Sequence, residues 1–469
     1  MTSNSWLDVD YGKELQEFLL KYVPIIAICD NQAKRTFEHA DINTIIVFFK
    51  APLVSSERQP AFGGLIPEQE VWPALSNVAR FVMFKKPFEE AINSKNLIDI
   101  ESANEIVKTD AYRVYAIRQD ELLEDGWEYP EDYDSNTLGR FKQGQYAGNK
   151  LGGKYLRAPD IFFTILEKGK GRMKKLGELA EVLFGIKTGA NEFFYIDQSK
   201  QDKWRIESRY LKDVVLSPRE INTYSVDETY RTKFKLFVCD EPKSQLKNTN
   251  ALKYILWGEK SEKDENGNEI RQFNKRPSCR RKLWYSVPKQ NKPQIVYPLI
   301  NNDSPKVIIN ERKLFFDANF VCITYKKDLQ EDRELFVAEN LWTFVMLCWE
   351  LFGIANLGQG AIKQNPQYVK NVVLLEPTYL VNKKNDIRKV LSKIKKREIK
   401  SIFVECGIDP NKPIREQTPD PLPDRAELDK IICDVLGLTE AERKELYWSV
   451  CELVHNRLEK AESLKGKKK

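Results

Sequence analysis

Two apolar runs near the amino terminus, residues 25–30 and 42–50, lack the alternation of a strand with one wet face. Continuous apolar runs of that length read as strands covered on both sides, so the chain opens as part of an α/β sheet. Residues 12–22 ahead of them make a short amphipathic helical segment, and residues 51–69 break the pattern. The 469 residues allow two or three domains at about 150 residues each. With 42% hydrophobic and 31% charged residues, the chain belongs with globular proteins, away from disordered and collagen-like ones. Its most apolar stretch, 341–357, carries Glu350 near its centre, which interrupts the run of about 20 uncharged residues that a bilayer crossing takes. No secretory apolar region follows Met1.

Lysine and arginine number 75 against 69 acidic residues, a net charge of +6 that permits a polyanionic partner without requiring one. The eight cysteines (29, 239, 279, 322, 348, 406, 433 and 451) form no Cys-x-x-Cys pair. Neither a zinc knuckle nor a disulfide framework is indicated, and a reducing cytoplasm fits. His39 and His455 are the only histidines, too few for a histidine-built metal site and poor support for a Ser-His-Asp triad.

The acidic stretch 120–134 reads as a solvated loop that repels nucleic acid. Around 144–170 the chain changes character, and from 176 onward short strands and turns interleave aromatic with basic side chains. A boundary is expected near 170 and a second after Pro377. The Asn-Gly step within 260–269 marks a turn, and 340–353 has apolar residues at helical spacing. The remaining residues read as helical. Segment 386–406 is rich in lysine and arginine, and prolines 410, 413, 419, 421 and 423 form a linker. Two helices follow, capped by Asp424 with Glu427 and by Thr439 with Glu442. The basic segment 383–400 is either a solvated helix face or a non-specific DNA contact, and the tail 465–469 reads as disordered.

Two motifs resemble catalytic elements without their context. Gly148-Asn-Lys-Leu-Gly-Gly153-Lys154 has the Gly-x4-Gly-Lys spacing of a phosphate loop, but Tyr155 stands where serine or threonine must meet magnesium, and no apolar strand precedes it. Asn365-Pro-Gln-Tyr368 approaches the Asn-Pro-Pro-Tyr of amino-group methyltransferases, yet follows a polar loop instead of ending a buried strand. Both read as ordinary loops. No strand leads into a glycine turn of the type that binds a dinucleotide or S-adenosylmethionine.

Other stretches resemble one family over nearly the whole length. Ser3-Asn-Ser-Trp-Leu-Asp-Val-Asp-Tyr11-Gly12 and Phe37-Glu-His-Ala-Asp-Ile-Asn-Thr44 are similar to late motifs of adenine-specific Type II DNA methyltransferases with a TaqI-like carboxyl-terminal specificity domain. Residues 153–161 resemble that family's passage from catalytic to recognition domain. Leu179-Ala-Glu-Val-Leu-Phe-Gly-Ile-Lys-Thr-Gly-Ala-Asn-Glu-Phe-Phe-Tyr195 looks like the opening strand and glycine turn of the specificity domain, and 307–323 with 356–377 its closing segment. Leu428, Asp429, Leu436, Tyr447, Val454 and Arg457 fall on the pattern of its helical tail.

The resemblance implies the fold class: α/β, the back half of a class I methyltransferase sheet over 1–170, then a mixed α/β target-recognition domain over 171–380 and a helical carboxyl-terminal region over 381–469. It implies duplex DNA as partner and S-adenosylmethionine as cofactor of the complete enzyme. The family's cofactor turn and Asn-Pro-Pro-Tyr would lie upstream of Met1, so no cofactor is expected to bind this chain alone. A complementing methyltransferase half or restriction-modification subunit is expected, or the frame is a truncated or split remnant. The alternative is a stand-alone sequence-specific DNA-binding subunit of a restriction-modification or phage-defence system; no nuclease motif supports a fused restriction enzyme.

By the same resemblance Phe37 sits where an aromatic ring stacks on the flipped base, its alternative being core packing at a strand end. Lys187, Thr188 and Asn191 offer donors to phosphates or base edges beside Gly185 and Gly189. Arg276, Arg280, Arg281 and Lys282, next to Trp284 and Tyr285, combine backbone neutralisation with stacking, or form a solvated face with its aromatics turned inward. Gln359 and Lys363 are expected to reach DNA from the closing loop. No residue of the chain is assigned catalysis or a metal.

Overall fold

The computed structural model describes residues 1–8, 12–31, 44–52, 72–129, 140–260, 272–288, 291–326, 332–354 and 360–465. They divide into two compact units, 1–159 and 160–469.

The amino-terminal unit is built on six strands: β1 (Thr2–Ser3), β2 (Ile25–Asn31), β3 (Thr44–Phe49), β4 (Val78–Phe84), β5 (Val107–Lys108) and β6 (Tyr112–Arg118), in the order β1-β3-β2-β4-β6-β5. Strands β2 and β4 run parallel and the other neighbours antiparallel. Helices α1 (Lys13–Tyr22), α2 (Phe88–Ala91), α3 (Ser94–Ser102) and α4 (Gln119–Asp125) complete the frame. One face of the sheet buries Ile25, Ile28, Phe81 and Met83 with Leu19 and Leu20 of α1 and Leu122 and Leu123 of α4. The other buries Ala27, Cys29, Val82 and Phe84 with Ala91 and Ile100. Strand β2 is therefore covered on both sides, as its unbroken apolar run implies. Buried Gln119 locks α1 to β2: its amide donates to the carbonyls of Leu20 and Val23 at 2.9 and 3.1 Å and accepts from the Ile25 N–H at 2.8 Å.

Strand β3 differs from expectation. Ile45 is buried, but Phe48 and Phe49 are 48% and 51% exposed. Strand β1 pairs with Thr44 and Ile45 alone, so residues 46–49 have no neighbour on that side among the described residues. The acidic stretch also differs, because α4 occupies its first part. Leu122 and Leu123 are core residues, Asp120 is bonded to Arg118 and Arg140, and Asp125 accepts from the Tyr155 hydroxyl and from Lys154. Burial of the adjacent Leu122 and Leu123 won over the charge count. The hairpin pair β7 (Trp127–Glu128) and β8 (Gln145–Tyr146) closes this unit's sheets.

The carboxyl-terminal unit contains β9 (Met173–Lys175), β10 (Ala180–Phe184), β11 (Tyr195–Ile196), β12 (Leu211–Val215), β13 (Ser225–Val226), β14 (Phe234–Phe237), β15 (Ile295–Pro298), β16 (Ile300–Asn301), β17 (Ile308–Asn310), β18 (Phe315–Phe316), β19 (Phe320–Tyr325), β20 (Ile362–Lys363) and β21 (Val373–Leu375). A five-stranded sheet has the order β10-β19-β15-β17-β13, a four-stranded one β11-β14-β12-β18, and β16-β20 and β21-β9 form pairs. An aromatic core gathers around Phe193, whose ring lies 4.7 Å from Tyr254 and 4.6 Å from Trp284.

Helix Asp160–Lys168 belongs to this compact unit: Phe162 stacks on Phe344 at 5.7 Å and Lys168 pairs with Glu442 at 2.7 Å. The helical spacing read over 340–353 corresponds to helix Thr343–Phe352; a separate helix, Arg333–Leu341, precedes it, and the two are bent by 60° across Trp342. No single helix among the described residues is long and apolar enough to cross a membrane. Glu350 is buried and held by Arg457 at 2.8 Å; burial raises its carboxyl, and Arg457 offsets part of that.

Residues 381–465 are mainly helical and part of the same unit. Helix Pro423–Leu436 places Arg425, wholly buried, against the Glu405 carboxylate at 3.2 Å and the Tyr224 hydroxyl at 3.0 Å, with the Leu341 carbonyl also accepting from it. Arg397 binds both Glu405 oxygens at 2.7 Å, and Asp429 accepts from the Thr343 hydroxyl at 2.6 Å. Thr439 and Glu442 form the expected capping box. Asp424 does not cap: Pro423 begins the helix, and Asp424 lies inside its first turn, bonded to Arg397. Segment 383–400 is mostly neutralised by its own unit, Lys384 with Asp332, Arg388 with Glu334, Lys393 with Glu427 and Lys395 with Glu311.

Glu339 in helix Arg333–Leu341 is fully buried with neither carboxylate oxygen hydrogen-bonded. Burial, reinforced by the charge of Glu376, drives its carboxyl well above the ordinary value. A raised carboxyl favours folding only while protonated, so stability is full below the ordinary value of about 4.3 and declines as pH rises through and above it. Glu339→Gln removes that titration. The variant is expected to gain on the native chain by up to about 1.4 kcal/mol per pH unit across the window above pH ~4.3, read by urea unfolding at a series of pH values. A constant difference across pH would show the group does not titrate this way.

Candidate nucleic-acid interface

Strand β10, at the edge of the five-stranded sheet, runs out at Gly185, where the chain turns against the segment 316–318. Ile186 bridges to Asp317, and a Cβ on Gly185 would lie 2.1 Å from the Asp317 carbonyl oxygen. Gly189 follows at φ +82°, its Cα facing Ser278 so closely that a Cβ would lie 2.7 Å from that carbonyl. Both glycines admit the chain's own backbone, a use the resemblance did not specify.

Segment 276–286 is stitched onto this turn. Arg281 donates to the Thr188 carbonyl at 2.8 Å and to the Ser286 carbonyl, and the Ser278 hydroxyl donates to the Gly189 carbonyl at 2.8 Å. Thr188 is buried, its hydroxyl donating to Asn191 Oδ1 at 2.5 Å. Arg276 lies over the Phe273 ring at 4.6 Å and pairs with Glu192 at 3.0 Å. Trp284 and Tyr285 are core residues: the indole N–H donates to Glu259 at 2.7 Å and the Tyr285 hydroxyl to the Glu241 carbonyl at 2.9 Å.

The structure therefore splits the candidate set. Lys187, Asn191, Arg280 and Lys282 are exposed on two segments that touch. Thr188, Arg281, Trp284 and Tyr285 build the turn, with their polar groups directed at the chain itself, which corrects the expectation that they offer donors or stacking rings outward. Arg276 is partly engaged in the same way. Lys363 is half-buried on β20, whose backbone bonds to Ile354 and β16; Gly360 before it is held through its carbonyl by Arg457. Phe37 and Gln359 lie outside the described residues.

A pocket of about 410 Å³ opens beside the turn, lined by Asn191, Lys200, Ser217, Phe234, Asp317 and Asn319 among others. Asp317 accepts from the Tyr195 hydroxyl and from the Asn319 N–H at 2.9 Å. Burial and the Asp317 charge push the Tyr195 hydroxyl far up, and burial lowers Lys200, whose ammonium caps the Glu192 and Tyr195 carbonyls at 2.6 and 3.1 Å. Beyond Asn191 these residues escaped the sequence reading, because Ser217, Phe234, Asp317 and Asn319 come from separate segments. The one local signal is the polar Asp317-Ala-Asn319 between two aromatic strands.

The glycine-rich segment 148–154 and Asn365-Pro-Gln-Tyr368 have structural uses. Asp8 accepts from the Gly153 N–H at 2.9 Å and from Lys150, while Lys154 pairs with Asp125. Asn365 caps helix Pro366–Val369 by accepting from the Gln367 N–H at 3.2 Å, and Tyr368 is buried.

Among known proteins, the chain is 25% identical over 162 residues to Type II methyltransferase M.AccI of Acinetobacter calcoaceticus, a match spanning 33% of this chain and 28% of that protein. Its fold is similar to the type IIG restriction endonuclease BpuSI, with TM-score 0.47, 14% identity and coverage of 98% of this chain and 47% of the other. It is also similar to the type IIL restriction-modification enzyme MmeI, solved in complex with DNA, with TM-score 0.39, 11% identity and coverage of 96% and 49%. The chain thus spans under half the length of each of these. Residues 160–406, more than half of the chain, match the family model of the Type II methyltransferase M.Eco57I carboxyl-terminal domain, and the chain belongs to that family.

Proposed function

We propose that the chain is the DNA-recognition portion of a site-specific adenine DNA methyltransferase of a restriction-modification system. The observation that carries this reading is the family match over 160–406, which starts at the first residue of the compact carboxyl-terminal unit. Exposed Lys187, Arg280 and Lys282 supply phosphate neutralisation, and Asn191 a side-chain amide for base edges. Lys363 and Gln359 add contacts from the closing loop, and Phe37 stacks on the extruded base. The recognition domain is of the TaqI-like kind.

The amino-terminal unit would be the late strands of a class I methyltransferase fold. Its β3 edge, unpaired at residues 46–49 among the described residues and with Phe48 and Phe49 exposed, is where a complementary half docks, since an uncovered apolar strand edge is a pairing surface. In the complete enzyme, methyl passes from S-adenosylmethionine to the amino group of a flipped adenine. The described residues do not themselves fit that cofactor: the amide and lysines of 148–154 are taken up by Asp8 and Asp125, and Gly185 and Gly189 are closed by the chain's own backbone. Asn365, as a helix cap, is not placed to polarise an amine.

The purified chain is expected to bind duplex DNA with an affinity that falls as salt rises, and to transfer no methyl group from labelled S-adenosylmethionine. Methylation by this chain alone overturns the division of labour; failure to bind duplex at low salt overturns the recognition role.

A further inference from the structure

The pocket beside the turn is concave, whereas reading a base edge in a groove uses side chains that protrude. Its walls suit something that leaves the duplex and enters the protein. Phe234 and Leu216 provide apolar surface for a planar ring, and Asn191, Ser217 and Asn319 bring amide and hydroxyl groups to its rim.

The electrostatics narrow the choice of ring. Three carboxylates, Glu192, Asp197 and Asp317, share the lining with a single cation, Lys200. Each carboxylate already has partners: Glu192 has Arg276, Asp197 caps the helix Gln198–Trp204, and Asp317 has Tyr195 and the Asn319 N–H. A carboxylate accepts about four hydrogen bonds, so Asp317 keeps acceptor capacity while lacking any donor. An exocyclic amine placed against Asp317 meets an acceptor, whereas a keto oxygen at the same point meets another acceptor. A phosphate is repelled from the pocket itself but is drawn to Lys187, Arg280 and Lys282, which stand exposed on the neighbouring turn.

We propose that this pocket receives an unstacked nucleotide whose base carries an exocyclic amine, adenine or cytosine, with the ring against Phe234, the amine toward Asp317 and Asn319, and the phosphate on the cations of the turn. The inference rests on the DNA-recognition reading above and concerns a nucleotide other than the target base stacked on Phe37. The nucleotide comes either from a strand that the protein has opened or from free solution, and both present the same chemistry.

The test compares the full chain's affinity for three labelled duplexes: fully paired, with a single adenosine bulge, and with a single thymidine bulge. The adenosine bulge is expected to bind at least about tenfold tighter than either other duplex, equivalent to about 1.4 kcal/mol. In Asn319→Ala, and independently in Phe234→Leu, that ratio falls to about one. Competition by free deoxyadenosine monophosphate, lost in the same variants, assigns the pocket to a free nucleotide; absence of competition together with the bulge preference assigns it to an extruded one. Equal affinity for all three duplexes, or a preference that survives both variants, overturns the pocket while leaving DNA recognition standing. Failure to bind any duplex overturns both.

Discussion

Arg425→Met is expected to lower the stability of the carboxyl-terminal unit by about 3–5 kcal/mol, the cost of removing one partner from a buried ion pair. The guanidinium is completely buried and serves three acceptors from different parts of the chain: Glu405, the Tyr224 hydroxyl and the Leu341 carbonyl. Methionine fills much of the volume but leaves the Leu341 carbonyl and one side of Glu405 unsatisfied. Burial alone would raise the Glu405 carboxyl, yet bonds from Arg397 and the charge of Arg425 hold it at about 2. A carboxyl depressed in the folded state contributes fully above its unfolded value of about 4.3, and that contribution is lost as pH falls toward 2. The native chain should therefore lose more stability than the variant on going from pH 5 to pH 3. Urea unfolding at the two pH values measures it, and a loss below 1 kcal/mol at neutral pH would show that the network behaves as a surface pair.

The combined variant Lys187→Ala, Arg280→Ala, Lys282→Ala is expected to fold normally and to bind duplex DNA weakly. All three side chains are exposed, and surface changes of this kind usually move stability by no more than about 0.5 kcal/mol. Each phosphate contact contributes about 0.9 to the slope of log affinity against log salt, so removing three lowers the slope by about 2.7. Anisotropy titrations across a salt series read this directly. An unchanged slope with unchanged affinity would place the DNA on another face. Arg281→Ala should differ in kind, because its guanidinium holds the Thr188 and Ser286 carbonyls. It is expected to loosen the turn and weaken binding through lost order.

What the sequence disclosed follows from how local the signal was. Helix α1, strand β2 and the Thr439 cap depend on spacing within a few residues, and they lie where periodicity and capping rules put them. Gly148–Lys154 and Asn365-Pro-Gln-Tyr368 read as loops from their flanks, yet the first runs into the π-helical turn Gly152–Arg157 and the second opens the short helix Pro366–Val369. Failures came where distant segments decide. Trp284 and Tyr285 beside four basic residues look like a stacking platform, and only Phe193, Glu259 and Glu241 turn them inward. Phe48 and Phe49 extend an apolar run that reads as buried, but beyond β2 the neighbour of β3 is a two-residue strand that stops at Thr44 and Ile45. Asp424 has the spacing of a cap, and Pro423 moves the helix start ahead of it.

The ion-pair ties made by Arg397, Arg425 and Arg457 have a bearing on how such chains could be recombined. A chimera that exchanged the sheets of 171–380 and kept its host's last helices would have to match, at one stroke, Glu405 with Tyr224, Asp429 with Thr343, and Arg457 with Glu350 and Gly360. Crossovers placed near 380 should yield insoluble products. A crossover at 159/160 leaves every one of those bonds within a single parent, so new sequence preferences are most readily transplanted with the terminal helices attached.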